Sequence, residues 1–298
     1  MSPRYAYYPG CSGLGTSMEY ESSTRAVLSA LSLDLIEIPD WSCCGSTPAH
    51  TVDHVLSCAL AARNLALAEE AGAETVITPC PSCLTNLKVA VHRMAEPAFK
   101  DRVNKLLDRP FSGKVQVKSV LQALYEDIGP EELAKRVVKP LTGLSIAPYY
   151  GCIMNRPPEV MEFDDHENPV AMDRLLAAVG VDVRPYPLKV ECCGASYGIA
   201  RNDVVMRLSG KLLEMAVDVG AAAMATACPL CQMNLDLRQG QVNAATHSHY
   251  ELPIFYYTQL IGLALGLPAR EVGLGKLCVD PRPLLSSLEA AQKQAANA

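Results

Sequence analysis

One arrangement of cysteines occurs twice along this chain, and it limits both the folds and the chemistries open to it. The first copy runs Tyr7-Tyr8-Pro9-Gly10-Cys11, then Cys43-Cys44-Gly45, then Cys80-Pro81-Ser82-Cys83. The second runs Tyr149-Tyr150-Gly151-Cys152, then Cys192-Cys193-Gly194, then Cys228-Pro229-Leu230-Cys231. The gaps between elements are 31 and 35 residues in the first copy and 39 and 34 in the second. Ten of the 12 cysteines thus fall in matched order, which cysteine richness alone does not produce.

The intervening segments repeat as well. Apolar runs at Arg4 to Tyr8 and Leu144 to Tyr150 read as strands. A helix and a second strand are expected before each doublet, the strands at Leu35 to Ile38 and Val181 to Tyr186. In the second copy Asn168 would cap that helix, Pro169 would open it and Gly180 would end it. After each doublet the spacing predicts an amphipathic helix. Its buried face would carry Val52, Val55, Leu56, Ala59 and Leu60 in the first copy. In the second the face would be Val205, Leu208, Leu212, Met215 and Ala216. Gly72 and Gly220 close these helices, and short strands at Thr75 to Thr78 and Ala222 to Thr226 run into Cys-Pro-x-Cys.

This order predicts an α/β fold of two similar Rossmann-like lobes with short parallel sheets, related by internal duplication. The lobes would comprise residues 1–140 and 141–298, the second including a C-terminal tail. The carboxyl ends of parallel strands gather at one edge, where ligands bind, so the five cysteines of each copy can converge there. The segment from Ala95 to Leu141 reads as connecting helices, with Pro253 to Leu267 as its analogue. The tail from Pro281 to Ala298 reads as a fraying or loosely docked end.

Composition narrows the setting. At 49% hydrophobic and 19% charged, the chain can bury a core and is not disordered. A net charge of −6 argues against non-specific binding to nucleic acid or anionic membranes. The first residues lack an apolar signal core, and Phe255 to Leu267 is too short to span a bilayer. A soluble, cytoplasmic protein is therefore expected. Thiols stay reduced there, so 12 cysteines point to metal or redox chemistry rather than to a disulfide framework.

A CxxC at a helix start aims two sulfurs the same way, and the helix amides favour thiolate charge. The doublet adds two sulfurs from a tight turn, and the first cysteine adds a fifth. Five exceed the four ligands of structural zinc, whereas iron–sulfur clusters can use more. Zinc-stabilised scaffolding and purely redox-active thiols remain the alternatives. Cys58 and Cys278 lie outside both motifs and read as inert.

Other residues admit two readings each. His50 either caps a helix starting near Thr51 or donates to the site. His247 and His249 read as a polar loop rather than a metal pair. Gly10, Gly13 and Gly15 do not match a dinucleotide loop. Lys189 and Arg201 could attract an anionic substrate or sit solvated at the surface. The loop Asn155 to Glu167 either rims a pocket or joins strand to helix.

The doubled motif resembles the paired cysteine-rich CCG domain of the heterodisulfide reductase B subunit, over nearly the whole chain. Supporting segments are Asp40 to Gly45 with Pro48-Ala49-His50, Phe163-Asp164-Asp165 with Glu167-Asn168-Pro169, and Phe255 to Leu260. The resemblance implies two non-cubane [4Fe-4S] clusters. One would be held by Cys11, Cys43, Cys44, Cys80 and Cys83, the other by Cys152, Cys192, Cys193, Cys228 and Cys231. No catalytic residue beyond these ligands is implied. A small-molecule or carrier-bound disulfide, thiol or persulfide would react between the clusters. Electrons would come through a ferredoxin-like partner, the C subunit, from a flavin-bearing one, the A subunit. The chain has no C-x2-C-x2-C-x3-C-P run for a cubane cluster, in keeping with that division of labour. Methanogen heterodisulfide reduction and a related complex of bacterial sulfur metabolism are both implied settings, and the Ala-rich, mildly acidic composition favours the second. Related CCG domains also serve glycolate, lactate and quinone-linked oxidoreductases as electron relays.

Overall fold

A computed structural model of the chain describes residues 4–46 and 48–296. Its framework is two four-stranded parallel sheets. The first comprises β1 (Arg4–Tyr7), β2 (Asp34–Glu37), β3 (Thr75–Thr78) and β4 (Gln116–Ser119), in the order β2-β1-β3-β4. The second comprises β5 (Ser145–Tyr149), β6 (Asp182–Val183), β7 (Ala223–Thr226) and β8 (Ile254–Tyr256), in the order β6-β5-β7-β8. Every pairing is parallel, and the orders are equivalent strand for strand. The duplicated α/β lobes expected from the cysteine repeat are therefore present. Parallel strands need crossover helices, and these are supplied by Met18–Ala30, His54–Glu70, Ala171–Ala178 and Asn202–Asp218.

Several local expectations are corrected. Each sheet has a fourth strand, β4 or β8, inside what reads in sequence as helical connection. The strand expected from Val181 to Tyr186 spans only Asp182–Val183. The helix of the second lobe begins at Ala171 rather than Pro169. Its free amides are met from a distance: Asp164 accepts from the Val170 and Ala171 N–H groups at 2.8 and 2.7 Å, and the Tyr150 hydroxyl accepts from Met172 N–H at 2.7 Å. After the first doublet the chain forms two helices, Pro48–Val52 and His54–Glu70, broken at Asp53. Asp53, not His50, is the cap, accepting from Leu56 N–H at 2.8 Å. The break rotates the following turns, so Val52 and Leu56 face solvent while Cys58, Ala61, Ala62 and Leu65 are buried. In the second copy Val205, Leu212 and Ala216 are buried as the spacing predicts. The tail is an ordered helix, Arg282–Ala296, docked through Leu284, Leu285 and Leu288; Gln292 donates to the Pro140 and Thr142 carbonyls.

The two halves exchange helices. Tyr257–Ala264, which follows β8, packs on Met18–Ala30 of the first lobe. The helical segment after β4, residues 120–128, packs reciprocally on Ala171–Ala178 of the second. At the first of these contacts the Tyr20 and Tyr256 rings stack at 4.1 Å and 4°, and the Ser23 and Thr258 hydroxyls bond at 2.7 Å. All four side chains are fully buried. A stacked aromatic pair of this kind contributes about 0.5–1.5 kcal/mol beyond its buried area.

Gly262 sits at the tightest point of this seam. A Cβ there would lie 2.5 Å from Val272 Cγ1 and 3.3 Å from Val27 Cγ2. Gly262→Ala is expected to lower the urea midpoint, because overpacking costs about 1–3 kcal/mol. That exceeds the roughly 1 kcal/mol by which Ala favours a helix over Gly. A raised midpoint would show that the seam yields freely.

Candidate metal centres in two thiol nests

Strand pairing sets the positions of the cysteines. β1 and β3 are neighbours in register, Ala6 opposite Val76 and Tyr7 opposite Ile77, so Cys11 and Cys80 emerge side by side. β5 and β7 do the same for Cys152 and Cys228, with Tyr149 opposite Thr226. Cys80 and Cys228 are each the N-cap of the helix that follows, with Pro81 or Pro229 in its first turn. The second CxxC cysteine is then one turn along, facing the first.

All five cysteines of each copy come together. In the first lobe the free thiols are linked by hydrogen bonds: Cys11 with Cys43, Cys44 with Cys83 at 3.5 Å between sulfurs, and Cys83 with Cys80. In the second, the same hydrogen bonds link Cys152 with Cys192, Cys193 with Cys231 at 3.5 Å, and Cys231 with Cys228. Each nest has a buried inner triad, Cys44, Cys80 and Cys83 or Cys193, Cys228 and Cys231. Each also has an outer pair nearer solvent, Cys11 and Cys43 or Cys152 and Cys192.

Close packing of backbone on sulfur explains the glycines. A Cβ on Gly10 would stand 2.9 Å from Cys83 Sγ, and one on Gly151 would stand 3.1 Å from Cys231 Sγ. Both have positive φ, +73° and +79°, so a side chain there is excluded twice over.

Mutual hydrogen bonding divides the thiols into easily and hardly ionised members. The Cys83 hydrogen bond pulls Cys44 down to about 7, and that from Cys152 pulls Cys192 down to about 6, helped by the Gly194 N–H at 3.3 Å. Cys193 is lowered by Cys231, and Cys80 by Cys83. Cys83 and Cys231 rise because each bonds two neighbouring sulfurs in a buried place. In each nest two thiols, Cys44 and Cys80 or Cys192 and Cys193, are thus the more readily deprotonated.

Sequence reasoning missed the residues that clamp the doublets. Asn86 Nδ2 donates to the Cys44 carbonyl at 3.1 Å and to its sulfur at 3.7 Å. Asn234 Nδ2 donates to the Cys193 carbonyl at 3.3 Å and to its sulfur at 3.6 Å. Both lie three residues after the CxxC, so the repeated unit is Cys-Pro-x-Cys-x-x-Asn, a signal present in the sequence. The Tyr8 hydroxyl donates to the Ser42 carbonyl at 2.7 Å, and Tyr149 donates to the Glu191 carbonyl at 2.8 Å. Each pins the residue before its doublet. Tyr256 joins the nests: burial, then Glu19 and the sulfurs of Cys228, Cys80 and Cys231, all raise its hydroxyl, so sulfurs of both lobes act on one side chain.

The remaining candidates fall elsewhere. Lys189 is buried, not solvated or open to substrate; its ammonium donates to Asp173 at 2.6 Å and to the Pro169 carbonyl at 2.9 Å. Arg201 pairs with Asp203 at the surface, and His50 is exposed. In the loop after Cys152, Asp164 caps the next helix and the Met161 carbonyl accepts from Lys88, so the loop braces the lobes. Cys58 is buried within its helix and Cys278 is exposed, both apart from the nests.

The donor set bears on what could bind. Among the described residues no three His, Cys, Asp or Glu side chains surround a single-ion position. Five sulfurs spread as a triad and a pair suit a polynuclear iron centre, with thiolates on several irons, better than one tetrahedral zinc. Asn234 is fully buried, and Asn234→Leu removes one of the two donors to the Cys193 carbonyl, leaving Ser209 Oγ at 3.3 Å; it is expected to destabilise the second lobe by about 0.5–1.5 kcal/mol. It should also speed alkylation of Cys193 in the metal-free chain, read by mass spectrometry, with Cys44 unaffected. Equal labelling of wild type and variant would show that the amide clamps nothing.

Comparisons with known proteins follow this geometry. The cysteine-rich domain family (CCG) matches residues 5–88 and 146–236, one stretch per lobe. The chain is 34% identical over 287 residues to the 8-methylmenaquinol:fumarate reductase membrane anchor subunit of Wolinella succinogenes, covering 95% of this chain and 100% of that one. It is 30% identical over 275 residues to the B subunit of the ferredoxin/F(420)H(2)-dependent CoB-CoM heterodisulfide reductase of Methanosarcina acetivorans, covering 90% and 91%. It is 30% identical over 292 residues to a protein of Archaeoglobus profundus described as like the heterodisulfide reductase B subunit, covering 94% and 95%. Among solved structures, a hypothetical protein from Helicobacter pylori shares the fold at a TM-score of 0.75 and 12% identity; 94% of this chain matches 53% of that longer one. With a cysteine-rich domain in each lobe and relatives of this kind along nine-tenths of its length, the chain belongs to the tandem CCG-domain family of the heterodisulfide reductase B subunit.

Proposed function

We propose that this chain is the iron–sulfur subunit of a heterodisulfide reductase-like oxidoreductase complex, exchanging electrons with a disulfide, thiol or persulfide at two non-cubane [4Fe-4S] clusters. The observation that carries this reading is the pair of matched five-thiol nests. The ligands would be Cys11, Cys43, Cys44, Cys80 and Cys83 in a lobe of residues 1–140, and Cys152, Cys192, Cys193, Cys228 and Cys231 in a lobe of residues 141–298. A bound cluster supplies one-electron redox chemistry at each nest. Two nests match the stoichiometry of the reaction: one disulfide takes up two electrons and two protons, its S–S bond breaks, and two thiols leave. The buried triads would hold the cluster, and the outer pairs, nearer solvent, would face the reacting sulfurs.

Electrons would arrive from two partners, a ferredoxin-like C subunit and a flavin-bearing A subunit. Exposed large apolar side chains adjoin the nests in sequence: Leu14, Met18, Val52 and Leu56 in the first lobe, and Tyr197, Ile199 and Leu237 in the second. Such a concentration of apolar surface suits contacts with these partners. Among the described residues no helix is long and apolar enough to cross a membrane. We place the protein in the cytoplasm, in bacterial sulfur metabolism.

A second reading has its own support. The 34% identical relative is named as part of a methylmenaquinol:fumarate reductase, which favours a relay between a quinol and a distant active site, without thiol chemistry.

Anaerobically purified protein is expected to hold about eight irons and as much acid-labile sulfide per chain. Zinc without sulfide would reject the cluster assignment. Cys193→Ser should remove about half of the iron and leave the first nest filled; an unchanged count would refute the ligand set. Titration of the oxidised protein with thiols, followed by electron paramagnetic resonance, should give a new paramagnetic signal. Silence towards every thiol and disulfide, together with oxidation by a menaquinone analogue in the complex, would instead establish the quinol relay.

A further inference from the structure

The C-terminal helix Arg282–Ala296 does not close onto the body along its whole length. Between it, residues 263–276 and residues 139–141 lies a groove of about 1240 Å³. Ordinary small-molecule pockets reach about 1,000 Å³. The walls include Leu263, Leu267, Leu285 and Leu288, each half-buried. The lining is also cationic: Lys139, Arg270, Lys276 and Lys293 come from three chain segments, against one acid, Glu289. Among the described residues the side chains of Lys139, Arg270 and Lys293 make no ion pair or hydrogen bond, whereas Lys276 Nζ contacts Met18 Sδ at 3.5 Å and its charge acts on Glu19. Arg282, at the same groove, is paired with Asp280. A chain of net charge −6 thus collects free positive charge around an apolar trough.

We propose that this groove binds anionic phospholipid, an acyl chain lying along the leucines and the phosphate meeting the cations, so that the protein seats on an anionic membrane surface without crossing it. An alkyl chain asks only for apolar contact, and a phosphate only for cations within reach. One lipid supplies both. A peptide helix in the same trough would need an acidic flank placed against cations of three different segments. Net charge is a poor guide here, because a membrane senses the local face within a Debye length and not the whole protein.

The test is flotation of the full, anaerobically purified chain with vesicles of phosphatidylcholine alone or mixed with phosphatidylglycerol. Binding to the phosphatidylglycerol vesicles is expected to be at least about tenfold tighter and to weaken as salt rises. Lys139→Glu/Lys293→Glu and, separately, Arg270→Glu should each reduce it several-fold while leaving the melting temperature unchanged. Equal binding to the two vesicle types, no flotation, or full binding by both variants would overturn the proposal. Capture of an acidic amphipathic peptide without flotation would also overturn it, assigning the groove to a protein partner.

Discussion

The pairing of a lobe's first strand with its third is the interaction on which the rest of this molecule depends. It sets Cys11 beside Cys80 and Cys152 beside Cys228, and the helices that start at Cys80 and Cys228 then turn Cys83 and Cys231 inward. Once those sulfurs are fixed, the doublet has one place to go. The Tyr8 and Tyr149 hydroxyls hold the residue before it, and the Asn86 and Asn234 amides hold its second cysteine. The inner triads are therefore built from rigid elements, the arrangement that preorganised sites require.

Crowding unprotonated sulfur is costly, and the protein offsets that cost by geometry. Hydrogen bonds from a neighbouring thiol or a turn amide lower the pKa of Cys44 and Cys192, while bonding to two sulfurs in a buried place raises that of Cys83 and Cys231. Metal loading then has to displace protons from the deepest thiols, Cys83 and Cys231, whose pKa their neighbours and burial raise. Between the lobes, helix exchange makes the two nests one mechanical unit. Met18–Ala30 meets Tyr257–Ala264, and Tyr256, which stacks on Tyr20, feels sulfurs of both copies. Duplication followed by reciprocal docking is how one lobe's thiol nest comes to share a side chain with the other's.

Where sequence reading missed, the cause was tertiary. Gln116–Ser119 is short and half polar, so nothing in its pattern separates it from the helices around it; only a free sheet edge at β3 makes it a strand. Val52 and Leu56 fit a helical stripe, but Asp53 breaks the helix and turns them outward. Lys189 has the chemistry of a surface cation, yet Asp173 from a helix sixteen residues away draws it inside. The clamp asparagines were legible in principle, as the last letter of a doubled Cys-Pro-x-Cys-x-x-Asn, but their partners were not.

Local pattern was enough to establish the fold class and the duplication, and to single out the ten cysteines that the fold gathers into two nests, because strand-to-helix punctuation and cysteine spacing are short-range signals and occur here twice. Folding in three dimensions settled the rest: which thiols are buried and which face outward, which amides and hydroxyls clamp them, how the lobes exchange helices, and where unpaired cations gather on an acidic chain. These depend on distances between residues far apart in the chain. Such distances are set by packing against particular neighbours, and no local pattern encodes them.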